Sequence, residues 1–256
     1  MKNIEPSVLE NSKMQLVEIV TKNSLLEAPV SVLVKTLTPE EAIGVPKRRD
    51  FPIILGKERV VEADVIGARA HAFTDSPGEF VGNLKEVLNL PLTSNRERSI
   101  YVVTLNAILK YLNLIENTIH CKDEDPGRCG KEIASQILKK WGKVKIGLIG
   151  LNPAIAENLI ETFGAENARI TDLNEQNIHS FKHGVKVWDG NEMTQELVKK
   201  SDVILITGTT FVNGTFDHIM YCIQNNRKDY LIYGVTGAGI CRLMGLNRIC
   251  PHSRSQ

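Results

Sequence analysis

Residues 143–172 read KVKIGLIGLNPAIAENLIETFGAENARITD. The pattern is strand, tight turn, helix, strand. Residues 144–149 are a short apolar run of the kind buried on both faces of a parallel sheet. Gly150 lets the chain turn. Asn152 suits a helix N-cap, and Pro153 follows at the first helical position, where its missing N–H costs nothing. Leu159, Ile160 and Phe163 form an apolar stripe at helical spacing, and Gly164 suits the helix stop. Residues 169–171 are a second strand that ends in Asp172.

This is half of a Rossmann-type unit, but its turn departs from the dinucleotide fingerprint. A G-x-G-x-x-G loop needs glycines where Leu151 or Asn152 and Pro153 or Ala154 stand. Pyrophosphate requires close backbone approach, and side chains here obstruct it, so a conventional NAD site is not expected. Asp172 lies 22 residues after Gly150, about where a ribose-binding carboxylate falls. It is equally a common turn residue.

The totals narrow the classes. The chain has 256 residues, enough for one large or two small domains. Lys and Arg number 31 against 30 Asp and Glu, so no bulk charge favours nucleic acid or an anionic membrane. Aromatic residues make up 5%, which also weakens base stacking as a binding mode. No apolar run reaches the roughly 18 residues of a membrane span. The N-terminus, MKNIEPSVLENSK, carries no apolar signal core, and the expected location is the cytoplasm. Five cysteines without such a signal read as thiols.

Residues 8–27 predict an amphipathic helix with Leu9, Leu16, Val17 and Val20 on one face, ended by Pro29. Residues 30–36 are a strand. Residues 40–51 are polar and contain Lys47, Arg48 and Arg49, a solvated loop or an anion-binding one. Residues 59–74 predict strands broken at Gly67, and 80–88 a short helix. Residues 100–114 predict a buried helix whose polar member, Asn106, faces either a cavity or an internal hydrogen bond. A helix starts at Asp125 and Pro126. Later strands are expected at 185–188, 202–207 and 230–235, with helices at 192–199 and 216–224. The tail from Asn247 is expected to be partly disordered. The first part thus reads as α+β (residues 1–118) and the second as a Rossmann-like parallel-sheet domain (residues 119–256), an α/β chain overall.

Ligands of such sheets bind outside the carboxyl ends of the strands. Those ends carry Gly150 and Asn152, Asp172, Asp189, then Thr207 to Thr210 with Asn213, Gly214 and Thr215, and Thr236 to Gly239. Three of them are Gly-rich turns with Thr or Asn before a helix, which offer N–H groups and hydroxyls to an anion. Helix capping uses the same residues. A second cluster holds His120, Cys121, Asp123, Glu124, Asp125 and Cys129. Its cysteines lack the spacing of a structural zinc knuckle. His120, Cys121 and Cys129 remain metal-ligand candidates for soft or borderline ions. The plain alternative is an acidic loop with packing cysteines.

The segments AHAFTDSPGEFVGNL, TLNAI, HCKDEDPGRCG, IGLIGLNPA and LITGTTFVNGT, in this order, resemble the heavy-metal-chelation domain family of prokaryotic proteins, whose function is itself inferred. The resemblance runs from about Val8 to Gly239. It implies an enolase N-terminal-like α+β domain followed by a Rossmann-like domain, and a metal or metal-complex ligand. The motif residues carried onto this chain are Thr74, Asp75, Asn106, His120, Cys121, Thr209, Asn213 and Thr215.

Three functions are compatible with this reading. In the first, a metal ion or metal-chelating small molecule sits in an interdomain cleft; Thr209, Thr210 and Asn213 hold an anionic part of it, Asp75 and Asn106 contact it from the other domain, and a transition metal is the cofactor to expect. In the second, an enzyme acts on a nucleotide-like or pterin-like molecule, with Asp172 on a ribose hydroxyl and Asp75 as acid–base candidate. In the third the chain is a non-catalytic regulatory protein. A homodimer is the default assembly.

Overall fold

The computed structural model describes residues 6–26 and 31–255. It is a mixed α/β structure with two sheets. Local chemistry sets most element starts. Helix α1 (Val8–Lys22) opens on a capping box: the Ser7 hydroxyl accepts from Glu10 N–H while Glu10 reaches back to Ser7 N–H. Its buried face holds Leu9, Leu16 and Val20, whereas Val17 is 38% exposed. The helix ends at Lys22; the stop expected at Glu27 and Pro29 lies outside the described residues.

The first sheet is antiparallel with strand order β3-β2-β1-β4. Its strands are β1 (Ser31–Leu37), β2 (Arg59–Val65), β3 (Ala68–Thr74) and β4 (Phe80–Asn83). Strands β2 and β3 form a hairpin whose turn residues, Ile66 and Gly67, both have positive φ. Short helices α2 (Pro39–Ile43) and α3 (Pro52–Leu55) occupy the β1–β2 connection. Residues 80–88 are therefore not one helix. Strand β4 pairs with β1, and helix α4 (Leu84–Leu88) starts at the Asn83–Glu86 capping box. The partner strand lies some fifty residues upstream, beyond the reach of local periodicity.

Helix α5 (Asn95–Tyr111) is buried almost all round from Ser99 to Leu109. It packs on β2 and β3 on one side and on later helices on the other. A helix with that burial must lie inside the molecule.

The second sheet follows helix α6 (Asp125–Trp141). Its strands are β5 (Ile146–Ile149), β6 (Ala168–Asp172), β7 (Phe181–Lys182), β8 (Val185–Asp189), β9 (Val203–Thr207), β10 (Asp229–Tyr233) and β11 (Arg248–Ile249). The spatial order is β11-β10-β9-β5-β6-β8-β7, and every pairing is parallel except β7–β8. Helices α7 (Pro153–Phe163), α8 (Gly190–Lys200), α9 (Thr210–Asn213), α10 (Phe216–Asn225) and α11 (Ala238–Met244) connect them. The winding reverses between β5 and β9, which makes a crevice at their carboxyl ends.

Strand β9 shows how both faces are covered. Val203 and Leu205 pack with α6 and α7, while Ile204 and Ile206 face the opposite cluster. That second cluster includes α5, α1 and the inner face of the first sheet. The described part of the tail, residues 247–255, is held in place. Strand β11 pairs with β10, and Ile119 and Arg254 exchange backbone hydrogen bonds of 2.9 and 2.8 Å. Among the described residues no helix is long and apolar enough to cross a membrane.

Candidate functional site

A cleft of about 640 Å³ opens at the carboxyl ends of β5, β6, β9 and β10. Its far wall comes from residues 51–58, the end of β3, and the segment around His120 and Cys121. The structure gathers Thr74, Asp75, Gly150, Asn152, Asp172, Thr209, Thr210, Asn213 and Thr215 on this cleft, together with His120, Cys121 and Cys129.

Asn106 is the exception, and the placement expected for it on the cleft wall is corrected. It is fully buried in α5 and does not line the cleft. Its amide nitrogen donates to the carbonyls of Val235 (3.2 Å) and Thr236 (3.1 Å), and its Oδ1 accepts from Gly239 N–H (2.7 Å). It shapes the loop after β10 and has no atom free for a ligand. Phe73 N–H donates to the Thr236 hydroxyl at 3.0 Å, which fastens β3 to the same loop.

Several motif residues are occupied in the same way. Gly150 has φ +84°, and a Cβ there would collide with the Thr207 side chain. Its carbonyl accepts from the Tyr233 hydroxyl at 2.9 Å. The Asn152 side chain caps α7, accepting from Ala154 and Ile155 N–H at 3.1 Å each. Asp172 accepts from Leu151 N–H and from Asn174 N–H, both at 2.6 Å. Burial raises its pKa, and these N–H groups pull it back. Thr210 donates to the Thr207 carbonyl (2.8 Å), and Thr215 donates to Asn213 Oδ1 (2.7 Å). Gly208 allows two loops to meet: a Cβ there would lie 2.7 Å from Gly237 N. The TGTTFVNGT loop thus meets much of its own polar demand, which leaves less for an anionic ligand than its composition suggests.

The charged wall is the feature that sequence reasoning missed. Glu58 lines the cleft beside Asp75 and Asp172. Burial first, then the charges of Asp172 and Asp75, push its pKa up to about 7. Its character arises from residues distant in sequence, so no local signal announces it. Glu175 also lines the cleft, and Lys57 is the one Lys or Arg among the described lining residues. Asp75 is exposed at the mouth, where its Oδ1 accepts from the Asn95 amide at 2.8 Å. The Thr171 hydroxyl, fully buried on the lining, has no hydrogen-bond partner. The basic triplet is not part of the site: Arg48 pairs with Glu157 at 2.7 Å and Asp50 at 3.3 Å.

His120 packs edge-on against Phe73, with ring centroids 5.0 Å apart. Its Nδ1 is buried without a partner. Burial, then the nearby His71, lowers its pKa to about 4, so the ring is neutral at physiological pH. Cys121, Cys129 and Cys250 are free thiols that line the cleft. The Cys121 hydrogen bond, opposed by Cys250, and burial push Cys129 up to about 12. Among the described residues, no group of three His, Cys, Asp or Glu side chains is arranged to hold a metal ion. His120, Cys121 and Cys129 therefore do not fit a closed three-ligand metal centre.

Fold and cleft together define a two-sheet α/β protein with a ligand-sized crevice at the ends of a largely parallel sheet. The model of the DUF364 family, described as "Putative heavy-metal chelation", matches residues 134–238, and the family resemblance read from the sequence is borne out there. Two solved structures from that family, both of proteins of unknown function, are similar to this chain. The one from Pyrococcus horikoshii is 16% identical, with 90% of this chain and 80% of that chain covered and a TM-score of 0.49. The one from Desulfitobacterium hafniense DCB-2 is 13% identical, with 73% of this chain and 72% of that chain covered and a TM-score of 0.48. No curated protein matches the chain.

Proposed function

We propose that the protein binds a small molecule bearing positive charge, an organic cation or a metal chelate, in the cleft between the two sheets. One observation carries this reading: among the described residues, Glu58, Asp75, Asp172 and Glu175 line the cleft against Lys57 alone. Such a wall repels phosphates and attracts cations, and the low dielectric of a cleft strengthens both effects. The reading revises the expectation that Thr209, Thr210 and Asn213 grip an anionic group. It agrees with the family's description over residues 134–238. Residues 119–256 are read here as a Rossmann-like domain, on the strand order and its switch point, and residues 1–118 as the enolase N-terminal-like partner. The setting is cytoplasmic.

The test is native mass spectrometry and elemental analysis of protein purified without a chelating tag. A cationic or metal-bearing species should be retained by the native chain and lost in the Glu58→Gln, Asp75→Asn double variant. A retained phosphorylated metabolite would overturn the proposal.

A second reading, an enzyme, is favoured by Glu58 itself. A carboxyl that exchanges its proton near pH 7 inside a cleft suits general acid–base work. Conversion of the retained species during incubation, abolished by Glu58→Gln, would select it.

A further inference from the structure

A second cavity shares a partition with the cleft. It holds about 290 Å³, at the small end of the range for small-molecule sites. Residues 119–122 form the partition: His120 and Cys121 line the cleft, whereas Ile119 and Lys122 line the second cavity. The rest of its wall comes from β1, α2, β2, β3 and the tail. His71 joins the two sides. Its Nδ1 accepts from His120 N–H at 3.2 Å, so the ring proton sits on Nε2, which donates to Glu62 Oε2 at 3.0 Å.

The two cavities differ in charge. Lys35, Arg69, Lys122 and Arg254 line the second one against Glu41 and Glu62, while acids dominate the cleft. The cations form two groups. Lys35 and Arg69 lie 3.5 and 4.0 Å from the buried Glu62, and each side chain is about half exposed. Neither contact is a good hydrogen bond, so both heads keep donors open for another acceptor. Arg254 is placed by the backbone bonds that it exchanges with Ile119, and it spends Nη2 on Asp125 at 2.6 Å. Lys122 is half-buried on the same segment as Ile119. Leu37 and Ile119, both buried, add apolar surface to the wall.

We propose that this second cavity binds a small dicarboxylate. The lining carries two more cations than acids, a surplus that two carboxylates neutralise. Ammonium and guanidinium groups bind carboxylates through charge-assisted hydrogen bonds, and the guanidinium fork matches a carboxylate's geometry. Two groups of cations suit an anion with two charged ends, and Leu37 and Ile119 suit the carbon chain that joins them. Glu62 is the group that opposes binding, and its charge is met inside the wall by His71, Lys35 and Arg69. The site does not depend on what the cleft holds, so either can fail alone.

The experiment is titration of the full chain with succinate, followed by ¹H–¹⁵N correlation spectra at constant ionic strength, with sodium chloride as the reference salt and acetate as the monocarboxylate. Saturable shifts are expected, centred on residues 35, 62, 69–71 and 119–122, with succinate bound more tightly than acetate. The double variant Arg69→Gln, Lys122→Gln should bind succinate about tenfold more weakly or worse, the scale of a lost charge-assisted hydrogen bond. Its spectrum away from the cavity shows whether it is folded. Lys139→Gln, on the exposed last turn of α6, should bind succinate as the native chain does. Shifts that chloride reproduces, shifts centred on the cleft, or native affinity in the folded double variant overturn the proposal.

Discussion

The Asp172 carboxylate accepts a hydrogen bond from Leu151 N–H at 2.6 Å, joining the end of β6 to the turn after β5. The place where a dinucleotide fold offers free N–H groups to its ligand is here filled by the protein's own acid. Asp172→Ala strips the partner from Leu151 N–H and Asn174 N–H, two partly buried donors. A loss of about 2 kcal/mol in urea unfolding is expected. A variant as stable as the native chain would show that the carboxylate is free for a ligand instead.

Asn106 connects α5 to the loop after β10 through three backbone partners. Asn106→Leu, similar in size, leaves all three unmatched inside the core. The expected cost is on the order of 3 kcal/mol, read as a lower urea midpoint at unchanged slope. Asn106→Asp should fare no better, because a carboxylate oxygen would then face the Val235 and Thr236 carbonyls.

Glu58 gives the protein a pH signature. Its pKa is about 7 in the folded chain against an ordinary 4.5, so the folded state holds more protons than the unfolded one between these values. Stability must fall as pH rises across that window and level off above it. Glu58→Gln removes this slope and should be the more stable form at pH 8, by about 2 kcal/mol once water in the cleft is allowed for. Thermal melts of both proteins from pH 5 to 8 decide it: parallel curves would refute the assignment.

Glu62 behaves in the opposite sense. The His71 hydrogen bond, Nε2 to Oε2 at 3.0 Å, is the main cause that holds its pKa below the usual range, and Lys35 at 3.5 Å assists. Its contribution is present above the ordinary carboxylate pKa and is lost as pH falls through the folded value. The stability gap between the native chain and Glu62→Gln should therefore narrow between about pH 5 and pH 3, measured by urea unfolding at each pH.

What could be read from the sequence was what short-range chemistry fixes. Gly150, the Asn152 cap, Pro153 and the alternating β5–α7–β6 pattern mark a parallel sheet because each signal acts within a turn or two. Strand β4, the short β7 and strand β11 escaped because their identity lies in the partner across the sheet. The cleft was partly legible: Thr74, Asp75 and the Thr209–Thr215 loop do reach it. Glu58 was not legible as a site residue, since its titration comes from burial first and then from the charges of Asp172 and Asp75, which the fold alone brings beside it. Asn106 was misplaced because a polar residue in an apolar helix looks the same whether it serves a ligand or a backbone.

The burial of α5 bears on how anything enters. Its side chains belong to one continuous apolar cluster that also holds Leu16 of α1, Val61 of β2, and Phe211 and Ile240 near the cleft. The two sheets cannot swing apart without tearing that shared interior. The cleft is thus already formed, and a ligand that enters it should associate at rates set by diffusion and local charge, with little ordering entropy lost.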